Sequence, residues 1–261
     1  MRIVSLVPSL TETIHEFGLA GSVVGVTRFC VHPETARETA AVVGGTKDPD
    51  VEQIRNLRPD LVLADEDENK PEHLAALREA KIKVHVTRIG SVADVSRELR
   101  AIGAIVGRTH EAEKHAADLQ EKAAQFAAAA ALAAPVACFV PIWKKPAMTM
   151  GGRTYMSDLL RIVGGRNVFD EVAKKYFEVD TDEVRIRNPD AILLPTEPYR
   201  FRESDRGFMA ERFEVPLDAV RLVDGEAFTW FGTRSSAGLD VVAEAVAGLR
   251  SASDPPVNQK P

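Results

Sequence analysis

The sequence predicts an α/β fold of two similar lobes joined by a long helical segment. Three observations carry this. Short apolar runs alternate with helical patterns through the first 90 residues, a stretch rich in strong helix formers occupies the middle, and a Pro-Asp-strand pattern of the first half recurs about 130 residues later. Strand and helix alternating at this spacing define βαβ units and a mostly parallel sheet.

The elements follow in order. Ile3 to Val7 reads as a strand. The helix after it takes Ser9 as its N-cap, with Glu12 three residues on completing a capping box. Ile14, Phe17 and Leu19 give it an apolar face, and Gly18 and Gly21 stop it. Val23 to Val26 is a second strand. Asp50 to Asn56 is a short helix, Asp60 to Ala64 a third strand, and Asp65 to Lys70 a polar loop. Pro71, favoured in a first helical turn, opens a helix through Ala80. Lys83 to Thr87 is a fourth strand.

From Val92 to Val106, apolar residues recur at helical spacing. After Gly107 an Ala-, Glu-, Lys- and Gln-rich pattern runs from His110 to about Ala133. These segments read either as one kinked helix or as two consecutive ones. One helix, interrupted or capped near Gly107-Arg108-Thr109, is the favoured reading.

The second half repeats the first. Val136 to Pro141 is a strand, Tyr155 to Val163 a helix, Asp180 to Arg187 a short helix, Ala191 to Leu194 a strand, Val220 to Val223 the last strand, and Gly238 to Leu249 the last helix. The run Glu52 to Leu63, with its Arg58-Pro59-Asp60, parallels Asp182 to Leu193, with its Asn188-Pro189-Asp190. Expected boundaries are 1–90 for the first lobe, 91–134 for the connecting helix, 135–250 for the second lobe, and a disordered polar tail over 251–261. Two such lobes imply a cleft between them, lined by loops at the carboxyl ends of parallel strands, where open α/β sheets bind ligands.

Composition narrows the function. The chain is 45% hydrophobic and 28% charged with a net charge of -6, and its Lys and Arg are scattered, which argues against a nucleic-acid partner. Two cysteines give no disulfide framework. No run reaches the ~18 apolar residues of a membrane span. The first residues carry no leader pattern. The protein is expected outside the cytoplasm if a leader has been removed, and in the cytoplasm if Met1 is the native start. Nucleophile-elbow, phosphate-loop and zinc-protease motifs are absent, so the chain reads as a binder of a small ligand, not an enzyme. Cys30 and His32 flank Val31 after the second strand and are soft-metal ligand types. Two ligands do not make a site, and the acidic run Asp65 to Glu68 reads as a solvated loop. No resident metal or cofactor is expected.

Several motifs stand in a fixed order: Ile3-Val4-Ser5-Leu6-Val7-Pro8-Ser9-Leu10-Thr11-Glu12, Val24-Gly25-Val26-Thr27, Leu57-Arg58-Pro59-Asp60-Leu61-Val62, Gly164-Gly165-Arg166-Asn167-Val168-Phe169 and Asn188-Pro189-Asp190. With these the chain resembles the helical-backbone class of ABC-transporter substrate-binding proteins over residues 2 to 249, and looks closest to the cobalamin-binding branch. The resemblance implies two Rossmann-like lobes with short parallel sheets, a long rigid helix in place of flexible hinges, small lobe motion, and a monomer serving an ABC permease. It implies a corrinoid or similar metal chelate gripped by Phe29, Trp143, Tyr176 and Trp230, the latter three on loops. Cys30, His32, Lys47 and Asp65 would add polar contacts. Glu72 matches one of two exposed glutamates that dock on the permease, and Glu203 lies near the second, where Glu197 and Glu211 compete. The chain departs from the family pattern in the first lobe, where Thr46 and Asp65 stand in place of Trp. That more polar face keeps a siderophore, haem or a bare metal ion open as ligand, and a cytoplasmic sensor or enzyme on the same scaffold as a further reading.

Overall fold

The computed structural model describes residues 1–253; 254–261, most of the expected tail, lie outside the described residues. The chain divides into two compact units. Unit 1 comprises 1–89, 93–119 and 230–235, and unit 2 the remainder.

Unit 1 begins β1 (Ile3–Ser5), α1 (Pro8–Glu16), β2 (Val23–Val26), α2 (Ala36–Thr39), β3 (Ala41–Val42), α3 (Val51–Asn56), β4 (Leu61–Asp65), α4 (Pro71–Glu79) and β5 (Val84–Thr87). Its five strands form one parallel sheet in the order β3-β2-β1-β4-β5. β4 is buried along its whole length, as a strand covered on both faces requires. Val4, Leu6, Val43, Ile54, Val62 and Leu77 form the core on one side. Gly25 in β2 faces Leu57 and Val4, and a Cβ there would lie 2.9 Å and 3.0 Å from their side chains, so the residue keeps the sheet close to the segment after α3.

The start of α1 differs from expectation. Pro8 occupies the first helical turn, the N-cap is Val7, and no side chain caps the helix. The proline fixes the helical φ one residue early, which places Ser9 inside the helix. The Glu12 carboxylate is taken by Arg234 instead of closing a capping box.

The central helical stretch is two helices, α5 (Val92–Val106) and α6 (Thr109–Ala130). Gly107 adopts φ +71° and Arg108 N–H donates to Gly103 O at 2.7 Å. Ser96 Oγ donates to Ala116 O at 3.3 Å, and Arg100 pairs with Glu113 at 2.6 Å. A Cβ on Gly103 would sit 2.2 Å from that of Ala112. These pairings make α5 and α6 an antiparallel hairpin, not one kinked helix. The 22 residues of α6 are shared between the units, with the division after Leu119.

Unit 2 continues β6 (Val136–Phe139), β7 (Pro141–Lys144), β8 (Ala147–Met150), α7 (Tyr155–Ile162), β9 (Gly165–Asn167), β10 (Tyr176–Glu178), α8 (Thr181–Ile186), β11 (Ala191–Pro195), α9 (Asp205–Phe213), β12 (Val220–Val223), α10 (Gly225–Thr229) and α11 (Ser235–Ser253). α11 therefore includes the first three residues expected in the tail. A parallel sheet has the order β12-β11-β6-β9, and a second, antiparallel sheet the order β10-β8-β7. The core gathers Phe139, Phe169, Phe201 and Phe213 with Ile192, Leu194 and Val220.

The sequence repeat is written into the hydrogen bonds. Asp50 caps α3 by accepting from Gln53 N–H at 2.9 Å, and Asp180 caps α8 by accepting from Glu183 N–H at 2.7 Å. Arg58 and Asn188 both adopt φ +47°. The aspartates of the two Pro-Asp pairs each clamp the neighbouring strand's start: Asp60 accepts from Arg2 N–H at 2.6 Å, Asp190 from Ala137 N–H at 2.8 Å. Lys81 and Glu214, after α4 and α9, adopt φ +62° and +57°. Each unit thus has the same four-strand frame, β2-β1-β4-β5 and β9-β6-β11-β12. The two-lobed α/β fold with short parallel sheets is as expected.

Candidate ligand-binding loops

In unit 1 the loop after β2 splits its side chains between inside and outside. The Thr27 hydroxyl accepts from Phe29 N–H at 3.3 Å and lies 3.2 Å from Cys30 Sγ, and Thr11 Oγ1 donates to the same sulfur at 3.1 Å. Cys30 is fully buried, and burial pushes its thiol pKa up. The expected polar contact from Cys30 is therefore corrected: its side chain braces the loop from beneath. Phe29 points the other way, 49% exposed, with the Arg28 guanidinium 5.1 Å from its ring and Arg28 paired to Asp48 at 2.9 Å. Half-buried His32 meets the edge of Trp230 at 5.6 Å. Trp230 counts with unit 1, although sequence order assigned it to the second lobe. Arg234 lies 5.3 Å from its ring.

The loop after β4 is held by a buried amide. Asn69 is 2% exposed; its Oδ1 accepts from Asp65 N–H at 2.9 Å, and its Nδ2 donates to Thr46 O at 2.8 Å and Leu6 O at 3.4 Å. It ties together the exits of β1, β3 and β4. Asp65 is 3% exposed and accepts from Thr87 Oγ1 at 2.7 Å, Asp67 N–H at 2.9 Å and Glu68 N–H at 3.3 Å. Its carboxylate organises the turn, which corrects the reading of Asp65 as a ligand contact. Lys47 is exposed and its Nζ donates to Asp67 O. Among the described residues no group of three or more His, Cys, Asp or Glu side chains is placed to hold a metal ion.

Burial, opposed by the hydrogen bonds from Thr87 and Asp67, pushes the Asp65 pKa up to about 6, with the Asp67 and Glu68 charges adding to it. The folded protein therefore holds this proton more tightly than the unfolded chain. Stability attributable to the group is full below pH ~4 and falls as pH rises toward 6. An Asp65→Asn protein, which keeps an acceptor oxygen, is expected to gain on wild type by roughly 1–3 kcal/mol between pH 4 and pH 7. Urea unfolding at both pH values reads this directly, and parallel pH curves for the two proteins would contradict it.

In unit 2 the expected loop residues lie on strands, which corrects their assignment. Trp143 is on β7 and Tyr176 on β10, both bordering β8. Trp143 pairs with Met148, Glu178 with Met148, and Tyr176 with Met150. Directly opposed and alternate residues share a face. Trp143, Met148, Tyr176 and Glu178 therefore stand on one face of this small sheet, while Ala147 and Phe177 pack into the unit 2 core. Trp143 is 40% and Tyr176 36% exposed. Trp143 Nε1 donates to Lys145 O at 3.0 Å and its ring meets Tyr199 edge-on at 5.5 Å. Lys144 Nζ binds Asp205 at 2.5 Å and fastens the β7-β8 hairpin to the start of α9. Met148, Asn69 and Arg234 were missed from sequence. No local pattern marked any of the three.

Glu72 is exposed in the first turn of α4. Glu203 is exposed before α9 and pairs with Arg206 at 3.0 Å. No helix among the described residues is long and apolar enough to cross a membrane.

Phe29 is displayed after β2 of the unit 1 parallel sheet, and Trp143 and Tyr176 on the antiparallel sheet of unit 2. Residues 3–214 match the family model described as Periplasmic binding protein, and the chain belongs to that family. Its curated relatives include the Vitamin B12-binding protein of Vibrio cholerae serotype O1, 24% identical over 96% of this chain and 90% of the relative. That of Photorhabdus laumondii is 27% identical over 74% of this chain and 70% of the relative. Among solved structures, the periplasmic vitamin B12 binding protein of Vibrio cholerae superposes with a TM-score of 0.82 at 23% identity, covering 97% of this chain and 98% of the other. A periplasmic haem-binding protein from Roseiflexus sp. RS-1 in apo form gives 0.78 at 21% identity, covering 97% and 99%.

Proposed function

We propose that the protein captures a flat metal chelate of the corrinoid class outside the cytoplasm and hands it, as a monomer, to an ABC permease. The carrying observation is the Trp143-Met148-Tyr176 face on β7, β8 and β10, with Trp143 and Tyr176 exposed beside half-buried Met148 and its reverse anchored in the unit 2 core. Rigid apolar rings with few polar anchors suit a broad planar ligand. Phe29, His32 and Trp230 are proposed as ligand contacts of unit 1, with Lys47 adding charge; Trp143 and Tyr176 are those of unit 2. Glu72 and Glu203 are proposed to meet basic residues of the permease. The names of the curated relatives support the corrinoid, and the chain acts as a carrier without catalysis.

Calorimetric titration with cyanocobalamin tests this, with cobinamide, haemin and Zn²⁺ run alongside. One-to-one corrinoid binding is expected, weakened at least ~10-fold in Trp143→Ala, equivalent to about 1.4 kcal/mol. Haemin heat without corrinoid heat reassigns the ligand, and silence from all four rejects the proposal.

A further inference from the structure

We infer that the Glu12–Arg234 ion pair is the positioning device for Trp230 and His32. Its consequence for ligand affinity rests on the function proposed above. Segment 230–235 belongs to unit 1 although the residues on either side of it belong to unit 2, so unit 1 holds it only by tertiary contacts. Those contacts converge on α1. Gly232 adopts φ +106° directly against Thr13, where a Cβ would come 2.4 Å from the hydroxyl. Thr233 N–H reaches the same hydroxyl at 3.4 Å, and Ser235 N–H closes the turn onto Gly232 O at 3.1 Å. Arg234 Nε and Nη2 each donate to one oxygen of Glu12 at 2.8 Å. The two side chains are 21% and 19% exposed.

A two-pronged guanidinium–carboxylate contact fixes the plane of the guanidinium as well as its place. The guanidinium carbon lies over the Trp230 indole, 5.3 Å from its centroid, and the indole in turn meets His32 edge-on at 5.6 Å. A continuous line of contacts thus runs from α1 through Arg234 and Trp230 to the loop after β2. Lysine in place of Arg234 would keep the charge but lose the fork that fixes its place. Glu12 and Arg234 therefore act through Trp230 and His32, and need not touch ligand themselves.

The chain has two tryptophans, so a Trp143→Phe background leaves Trp230 as the sole indole reporter. In that background Glu12→Gln and Arg234→Lys are each expected to raise the acrylamide quenching constant of Trp230 roughly twofold. Combining them should add less than a second twofold step, as coupled neighbours do. Glu12→Gln changes no volume to speak of, and amide exchange over 230–235 in the intact protein, expected to rise, gives a second reading independent of the indole. With Trp143 restored, Arg234→Lys is expected to weaken cyanocobalamin binding about tenfold. Unchanged quenching and exchange in the folded variants, or wild-type affinity in Arg234→Lys, would overturn the inference. Failure of wild type to bind cyanocobalamin would sink the proposed ligand and leave the Trp230 signature standing.

Discussion

Replacing Phe139 by alanine is expected to destabilise unit 2 by about 3–5 kcal/mol, the range for emptying a buried aromatic site. Phe139 is fully buried on β6, 4.8 Å edge-on from Phe213 and 6.2 Å from Phe169, and Phe169 lies 5.4 Å from Phe177 of β10. The cavity would open beneath the antiparallel sheet that displays Trp143 and Tyr176. Chemical unfolding followed by near-ultraviolet dichroism and by far-ultraviolet dichroism should separate in this variant, because the two units need not unfold together. Phe139→Leu fills most of the space and should cost clearly less. Equal costs for Leu and Ala would mean that the ring contacts, not the filled volume, carry the stability.

The second large effect is expected at Asn69. Alanine there orphans the buried Asp65 N–H and removes the donors to Thr46 O and Leu6 O. At 1–3 kcal/mol for each buried group left without a partner, the orphaned Asp65 N–H and the lost donor to Thr46 O together predict a loss of about 2–6 kcal/mol. The loss should be local to unit 1. Aspartate at 69 keeps an acceptor for Asp65 N–H but offers no donor to the two carbonyls at neutral pH, and it adds charge beside Asp65. It should therefore be no better than alanine. Hydrogen exchange resolved along the chain checks both statements. Protection lost around 46 and 65–69 but retained in unit 2 is the expected pattern, and uniform loss would contradict it.

What the sequence made readable was whatever is local and periodic. The repeated Pro-Asp motif foretold two similar frames because each aspartate clamps the start of the adjacent strand, a local requirement that the composition records twice. Asp50 and Asp180 announced their helices for the same reason. Errors arose where a distant partner decides. Ser9 and Glu12 have the spacing of a capping box, but Pro8 starts the helix and Arg234 claims the carboxylate. The helical hairpin of α5 and α6 turns on Gly103 fitting against Ala112, which no periodicity shows. Trp143 and Tyr176 were read as loop residues because their strands are only four and three residues long, too short for alternation to emerge. Of the proposed contacts, Phe29, Trp143 and Tyr176 are exposed, whereas Cys30 and Asp65 face inward. A polar side chain after a strand advertises chemistry whether it serves a ligand or its own loop.

The placement of 230–235 in unit 1 has a consequence for the order in which the molecule can be completed. The 110 residues 120–229 stand between Leu119 and Trp230. At ~5–20 residues per second, a ribosome takes roughly 5–20 s to cross that interval. Throughout it, the first unit has its sheet and its helical hairpin in hand but lacks Trp230 and Arg234. The first unit is thus begun first and finished nearly last. A nascent or threading chain acquires its His32–Trp230 wall only after residues 120–229 have emerged, so Trp230 closes a unit begun long before it.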